Sequence, residues 1–137
     1  MKRKNELALS SSKGFTLIEL LVVIAIIGIL STIVMVSLNT ARQKARDARR
    51  MSDMQQISVA MTMWRDSNAA YPTAAEFTGA FKTTYFPGGL PTDPSTGANY
   101  TYTPGTDTYC VYADLETDTY FYANQNGTGK NATAGCP

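Results

Sequence analysis

Histidine is absent from the sequence, and the only cysteines are Cys110 and Cys136. These absences exclude histidine-based acid–base catalysis and zinc sites built from cysteine and histidine. Basic side chains are scarce towards the C-terminus, where residues 66–137 contain two basic and seven acidic residues. Because so few cations cannot neutralise a phosphate backbone, we do not expect nucleic acid as a main partner.

The composition also argues against an enzyme. A chain of 137 residues has room for one domain of ordinary size, and for less once its apolar segment is set aside. No nucleophile elbow, phosphate-binding loop or pair of catalytic carboxylates is recognisable. We therefore predict no catalytic residue and a non-enzymatic role.

A long apolar segment lies near the N-terminus. Every residue from Leu20 to Leu30 is apolar or small, and the apolar run resumes at Ile33 and ends near Leu38. Its fourteen large aliphatic or Met side chains favour membrane insertion by about 4 to 8 kcal/mol, which the edge carboxylate of Glu19 cannot reverse. The alternative is the buried core helix of a soluble protein, but the remaining chain is too small to surround it. We predict a membrane span of nineteen residues.

A basic leader precedes the span and favours a cytoplasmic N-terminus. The charge rule alone does not decide the orientation, because five basic residues follow the span and four precede it. A secretory signal has its small cleavage residue after the apolar core, whereas Gly14 comes before it. Cleavage at Gly14 removes the leader and leaves the apolar helix on the product. The basic residues are Lys2, Arg3, Lys4 and Lys13 before the span, and Arg42, Lys44, Arg46, Arg49 and Arg50 after it.

The residues around Gly14 carry a family resemblance. The string Lys13-Gly14-Phe15-Thr16-Leu17-Ile18-Glu19, followed by LLVVIAIIGIL, resembles the class III signal of type IV pilins and the related pseudopilins. The resemblance implies that a membrane-embedded prepilin peptidase cleaves between Gly14 and Phe15 and N-methylates Phe15. It also implies that Glu19 directs assembly. One departure is Val36, which stands where many pilins have a proline eight residues after a glycine, here Gly28.

The chemistry of Glu19 agrees with this implication. A carboxylate at the edge of an apolar helix is costly unless it is paired, and cleavage creates a new cation, the Phe15 amine. We expect Glu19 of an incoming subunit to pair with the Phe15 amine of a docked one. The alternative is that Glu19 only reaches the lipid headgroups.

The resemblance implies a structural subunit, a pilin of a type IV pilus used in adhesion, motility or DNA uptake. An alternative is a pseudopilin of a type II secretion or competence system, and a third is a singly anchored extracytoplasmic binding module. The implied partners are further copies joined through their N-terminal helices, the prepilin peptidase, an inner-membrane platform protein and, indirectly, an assembly ATPase. The implied location is the cytoplasmic membrane, with one span and the N-terminus inside, and then an extracellular filament at the cell surface.

Beyond Leu38 the sequence predicts that the helix continues. Apolar residues recur at steps of three and four as far as Trp64, and Pro72 stops the helix after about Asn68. Weak surface ion pairs are expected between Asp47 and Arg50 and between Arg49 and Asp53. The predicted segments are a cleaved leader 1–14, a transmembrane and assembly helix 15–38, an amphipathic helix 39–68 and a globular domain 69–137.

The globular domain is predicted to hold a small antiparallel sheet. Residues 73–98 are expected to form an irregular loop, anchored on the helix by aromatic residues. Three strands follow, with one face on the apolar stripe between Met51 and Trp64, so the fold class is α+β and type IV pilin-like. The aromatic anchors are Phe77, Phe81, Tyr85 and Phe86, and the strands are Tyr100–Thr103, Thr108–Ala113 and Thr119–Ala123.

The two cysteines predict one disulfide. An even pair in a chain with an export-like segment is typical of an oxidising compartment, and the alternative is two buried free thiols. A bond from Cys110 to Cys136 pins the polar tail 124–137 against the middle strand. This arrangement resembles the disulfide-bounded region of type IV pilins and differs from the major pseudopilin of type II secretion.

An acidic turn is a weak candidate for a Ca²⁺ site. Asp114, Glu116 and Asp118 alternate along the chain near Asp107 and offer the oxygen ligands that Ca²⁺ prefers. The alternative is a solvated acidic turn, since no glycine-containing calcium loop is present. No other metal or cofactor is predicted.

Overall fold

The computed structural model describes residues 14–117 and 119–137 of the protein. The chain divides into two compact units between Asn39 and Thr40, and each is described by itself. Helix α1, Leu17–Asn68, contributes to both units. The helix was predicted to begin at Phe15, and it begins two residues later because Thr16 caps it.

The described part of the first unit consists of residues 14–16 and the apolar half of α1. Its large apolar side chains are exposed, with exposed fractions from 48% at Leu38 to 91% at Phe15. Two hydroxyl groups in this stretch donate to backbone carbonyls of the preceding turn, Ser31 to Ile27 and Thr32 to Ile29, both at 2.7 Å. These bonds satisfy the hydroxyls within the helix, so they do not interrupt its apolar surface.

The second unit has its core on one face of α1. Part of the predicted apolar stripe is buried there, whereas Ala41, Ala45 and Ala48 are exposed. The buried stripe is thus shorter than the predicted one, because the sheet and the following segment cover only the later turns. The buried apolar residues of α1 are Met54, Ile57, Ala60, Met61 and Trp64.

Helix α1 ends in a left-handed residue. Ala69 has φ 59°, and its backbone N–H donates to the carbonyl of Arg65 at 2.8 Å. Pro72, the predicted helix stop, is fully buried just beyond. The chain therefore turns sharply at Ala69, where glycine is the usual residue.

A second helical segment follows, where an irregular loop was predicted. It consists of helix α2, Ala74–Glu76, a π-helical turn, Phe77–Phe81, and helix α3, Lys82–Tyr85. That part of the prediction was wrong, because a capping box starts the segment. Glu76 N–H donates to the Thr73 hydroxyl at 3.3 Å, and Thr73 N–H donates to the Glu76 carboxylate at 2.7 Å.

Four antiparallel strands form one sheet in the order β1-β2-β3-β4. The strands are β1, Thr101–Pro104, β2, Tyr109–Asp114, β3, Tyr120–Asn124, and β4, Gly127–Asn131. The first three confirm the predicted meander to within about a residue. Strand β4 was missed, because GTGKN has no apolar alternation and was read as a polar tail.

One face of the sheet packs on the buried stripe of α1, as predicted. Val111, Ala113, Phe121 and Ala123 point inward from β2 and β3 and join the core. The aromatic residues that follow α1 cover the rest of the core. The ring centroids of Trp64 and Phe81 are 5.8 Å apart. The fold is an α+β, pilin-like arrangement of a long helix and a small antiparallel sheet.

A disulfide joins Cys110 of β2 to Cys136, with a Cα–Cα distance of 5.8 Å. Cys136 lies after β4, so the bond ties the end of the described chain back to the second strand. Residues 124–137 thus contain both a strand and a cross-linked segment.

Candidate functional site

The predicted processing residues lie just before helix α1, where the described residues begin. Gly14 and Phe15 precede the helix and are exposed, and a side chain placed at Gly14 would meet no atom within 4 Å. Phe15 is 91% exposed. The bond between these two residues is therefore unobstructed by the described chain.

Glu19 forms a capping box with Thr16. The Glu19 Oε2 atom accepts a hydrogen bond from Thr16 N–H at 2.8 Å and another from the Thr16 hydroxyl at 2.6 Å. In return, the Thr16 hydroxyl accepts from Glu19 N–H at 3.3 Å. Within residues 14–117 and 119–137 both side-chain bonds end on Oε2, so Oε1 remains for a further donor.

Helix α1 is long and apolar enough to cross a membrane, by length and composition, and none of its most apolar window is buried by the protein. Together with the residues around Gly14, this feature fits a membrane-anchored protein. The described part of the first unit thus offers an exposed Gly14–Phe15 peptide bond, a capped carboxylate and an apolar surface.

A second polar cluster lies in the other unit, around the buried Arg50. The Arg50 Nε atom is 2.7 Å from Asp93 Oδ2, and Nη1 is 2.7 Å from Asp47 Oδ1 and 3.2 Å from Glu116 Oε1. Arg50 Nη2 donates to the Ser95 hydroxyl at 3.0 Å. One guanidinium therefore joins α1, the loop before β1 and the turn between β2 and β3.

The same cluster lowers the pKa of two of its carboxylic acids, Glu116 and Asp93. Arg46 adds two further bonds to Glu116, from Nε at 2.5 Å and from Nη2 at 2.6 Å. Hydrogen bonds from Arg46, then from Ser95 and Arg50, lower the pKa of Glu116 to about 2. The Arg50 guanidinium and the backbone N–H groups of the loop hold the pKa of Asp93 well below its usual range. Both carboxylates are thus anionic at neutral pH.

The prediction of two weak surface ion pairs was wrong for both pairs. The Asp47–Arg50 pair exists but is buried, with 7% and 4% of the two side chains exposed. The Arg49–Asp53 pair is not found within the described residues. Asp53 instead accepts a hydrogen bond from the Tyr100 hydroxyl at 2.7 Å, and burial together with this bond raises the pKa of Tyr100.

The acidic turn does not gather its predicted calcium ligands. Glu116 points to two arginines, Asp114 is exposed at the end of β2, and Asp118 lies outside the described residues. Asp107 contacts Arg65 at 2.8 Å. In residues 14–117 and 119–137, no group of three or more Cys, Asp or Glu side chains is placed to hold a metal ion.

Sequence reasoning missed the role of Asp93. Its partner Arg50 is 43 residues earlier in the chain, so spacing along a helix could not reveal the pair. One signal was available, since Asp93 in Leu-Pro-Thr-Asp-Pro-Ser-Thr is typical of an Asx turn. In the structure, Asp93 Oδ1 accepts from the N–H groups of Ser95 and Thr96 at 2.8 and 2.9 Å.

An exposed apolar helix start with a glycine immediately before it, and an α+β unit with a four-stranded antiparallel sheet, together define a pilin-like protein. Residues 9–35 match the family model described as the prokaryotic N-terminal methylation motif. The matched motif and the fold support a type IV pilin-like family.

The curated relatives that the chain matches carry one name, type II secretion system core protein G. The protein of Dickeya chrysanthemi is 33% identical over 88 residues, 64% of this chain and 54% of the relative. That of Escherichia coli K12 is 38% identical over 66 residues, 48% and 46% of the two chains. That of Aeromonas hydrophila is 38% identical over 63 residues, 46% and 44%. The chain thus spans about half the length of these relatives, and none of them is named as an enzyme.

Proposed function

We propose that the chain is a structural subunit of the pseudopilin type, which polymerises for a type II secretion system after cleavage behind Gly14. The observation that carries the proposal is the similarity to type II secretion core proteins, added to the methylation motif at residues 9–35. A subunit of this kind is inserted in the cytoplasmic membrane with its N-terminus inside and then assembles with the secretion machinery.

The geometry of Glu19 supports the assembly step. Thr16 already holds the carboxylate at the start of the helix through Oε2, 2.8 and 2.6 Å from its two donors. The methylated amine of Phe15 in a neighbouring copy is a cation that can use the other oxygen. Removing one partner of such a desolvated pair typically costs about 3 to 5 kcal/mol, which is enough to decide whether a subunit docks.

A pilus subunit for adhesion, motility or DNA uptake is the second candidate. The observation in its favour is the bond between Cys110 and Cys136, which resembles the disulfide-bounded region of pilins. To separate the two functions, the gene is deleted in its host, and secreted proteins in the medium and surface filaments are both measured. Loss of secretion with intact surface filaments supports the pseudopilin, and the reverse result supports the pilin.

Mass spectrometry of the protein purified from its host tests processing. The expected species has 123 residues, since 137 minus the 14 of the leader leaves 123, and begins with N-methylated Phe15. An intact chain beginning at Met1 contradicts the proposal and favours a simple membrane anchor.

Glu19→Ala tests assembly. We expect this variant to be cleaved and methylated normally but to form no filaments, because the Phe15 amine of a neighbour loses its partner. Glu76→Ala is the matched control, since Glu76 makes the same capping box with Thr73, with bonds of 2.7 and 2.8 Å, in the second unit. Normal filaments from Glu19→Ala, or none from Glu76→Ala, would contradict the assigned role.

A further inference from the structure

Three cations of helix α1 have no carboxylate partner among the described residues. Arg42, Lys44 and Arg49 are exposed, and none of them makes an ion pair within residues 14–117 and 119–137. Their neighbours Arg46 and Arg50 differ, since carboxylates of the same unit occupy both guanidiniums at 2.5 and 2.7 Å. The basic segment of the sequence is thus split into residues that stabilise the fold and residues that are free to bind something else.

The position of these cations along α1 points to the partner. Arg42 and Lys44 follow Leu38, the end of the apolar run, by four and six residues, or about 6 and 9 Å of helix. The headgroup layer on each side of a bilayer is about 5 to 8 Å thick beyond the hydrocarbon. Given the membrane insertion assumed in the proposed function, both side chains reach lipid phosphates. Arg49 follows by eleven residues, about 16 Å, and lies further out.

All exposed charged side chains between Asn39 and Ser52 are basic. Asp47 is the one acid between Asn39 and Ser52, and its carboxylate is buried against Arg50 at 2.7 Å. An exposed acid that would repel an anion is therefore missing from this stretch of the described chain. Guanidinium and ammonium groups both bind phosphate, the former with two parallel hydrogen bonds.

We propose that Arg42 and Lys44 bind the phosphate groups of anionic lipid headgroups where α1 leaves the membrane, with a weaker contribution from Arg49. Each basic residue at a membrane surface contributes about a fivefold gain in affinity for anionic lipid. The subunit is thereby held at a set depth in the membrane before assembly, and these contacts break when it is extracted into a polymer.

The test uses the full chain in detergent micelles titrated with phosphatidylglycerol or with phosphatidylcholine, and counts bound lipid by native mass spectrometry. The wild type is expected to prefer phosphatidylglycerol. The double variant R42Q/K44Q is expected to lose about 25-fold in affinity for that lipid, and R49Q less than about fivefold.

The control K82Q/K130Q removes the same charge from two exposed lysines far along the chain and is expected to keep the preference for phosphatidylglycerol. Fluorescence of Trp64, the sole tryptophan, checks that each variant is folded.

Three results would overturn the proposal. The first is equal binding of the two lipids to the wild type, and the second is unchanged phosphatidylglycerol binding by R42Q/K44Q. The third is complete displacement of the lipid by inorganic phosphate at the same concentration, which would show a site for free anions. If R42Q/K44Q binds lipid normally but forms no filaments, the two cations contact acids of another copy. Failure of the proposed function is seen separately, as a chain that keeps its lipid preference but is not cleaved at Gly14.

Discussion

At the residue scale, one guanidinium connects three segments of the second unit. Arg50 is 3% exposed and contacts Asp47, Asp93 and Glu116. The spacing of Asp47 and Arg50 predicts the pair, but only as a weak surface contact that adds little to stability. Because the pair is buried, losing one partner destabilises the fold far more, since an unpaired charge costs much more free energy in the interior than in water.

Arg50→Met is therefore expected to lower the free energy of unfolding by about 3 to 5 kcal/mol, since it leaves Asp47 buried without a counter-charge. Arg49→Met is the control, because Arg49 is exposed one position earlier on the same helix. Its expected effect is within about 0.5 kcal/mol. Denaturant unfolding followed by Trp64 fluorescence measures both, and equal losses in the two variants would show that the ion cluster does not stabilise the unit.

Acid should weaken the same cluster. The folded-state pKa values of Asp93 and Glu116 lie below those of the unfolded chain, with Glu116 at about 2. Their stabilising contribution is complete above about pH 5 and is lost as the pH falls towards about 2, because the unfolded chain takes up protons first. The melting temperature from pH 7 to pH 2 should fall steeply in the wild type and less in Arg50→Met. Parallel curves for the two proteins would contradict this account.

At the element scale, the end of α1 carries a residue in an unfavourable conformation. Ala69 has a positive φ of 59°, which glycine adopts at no steric cost. Ala69→Gly should raise the free energy of unfolding by about 1 kcal/mol. Ala70→Gly, at a residue without a positive φ, should lower it by about 0.4 to 1 kcal/mol. Thermal unfolding of the two variants measures the difference, and shifts of the same sign would show that the backbone angle at residue 69 is not what decides stability.

The elements that the sequence predicts well are those with a strong period. The apolar run and the stripe up to Trp64 predict α1, and runs of β-branched and aromatic residues between turn segments predict the first three strands. Strand β4 lacks alternation, yet a turn signal is present, since the two-residue loop Gln125–Asn126 is followed by Gly127, which opens the strand with φ 126°. The helical segment from Ala74 to Tyr85 likewise depends on a short signal, the Thr73–Glu76 capping box.

The candidate sites divide in the same way. Gly14, Phe15 and Glu19 are predicted from the sequence because the motif is contiguous, and their roles stay predictions. The partners of Arg50 could not, since Asp93 and Glu116 lie 43 and 66 residues away and meet it only once the sheet has packed on α1. Local patterns reveal what a short segment does alone, whereas contacts between distant segments require the tertiary structure.

At the scale of the whole molecule, the second unit is small and cross-linked. The Cys110–Cys136 bond joins residues that are 26 positions apart. In the chain-entropy model, closing a loop of this length stabilises the folded state by about 3.5 kcal/mol. Replacing both cysteines by serine, or reducing the bond, should lower the free energy of unfolding by about that amount. Trp64 fluorescence during denaturant unfolding, with and without reductant, checks this expectation. A reductant effect that persists in the double serine variant would point to a cause other than the bond.

The order in which the chain is made adds a consequence to this cross-link. Cys136 is synthesised after all four strands, and its partner sits on the second of them. Oxidation must therefore wait until the entire sheet has left the ribosome and reached an oxidising compartment. Under the proposed function, a copy that polymerises before its thiols react carries residues 110–136 into the filament without their cross-link. The rate of oxidation then sets how uniform the filament is.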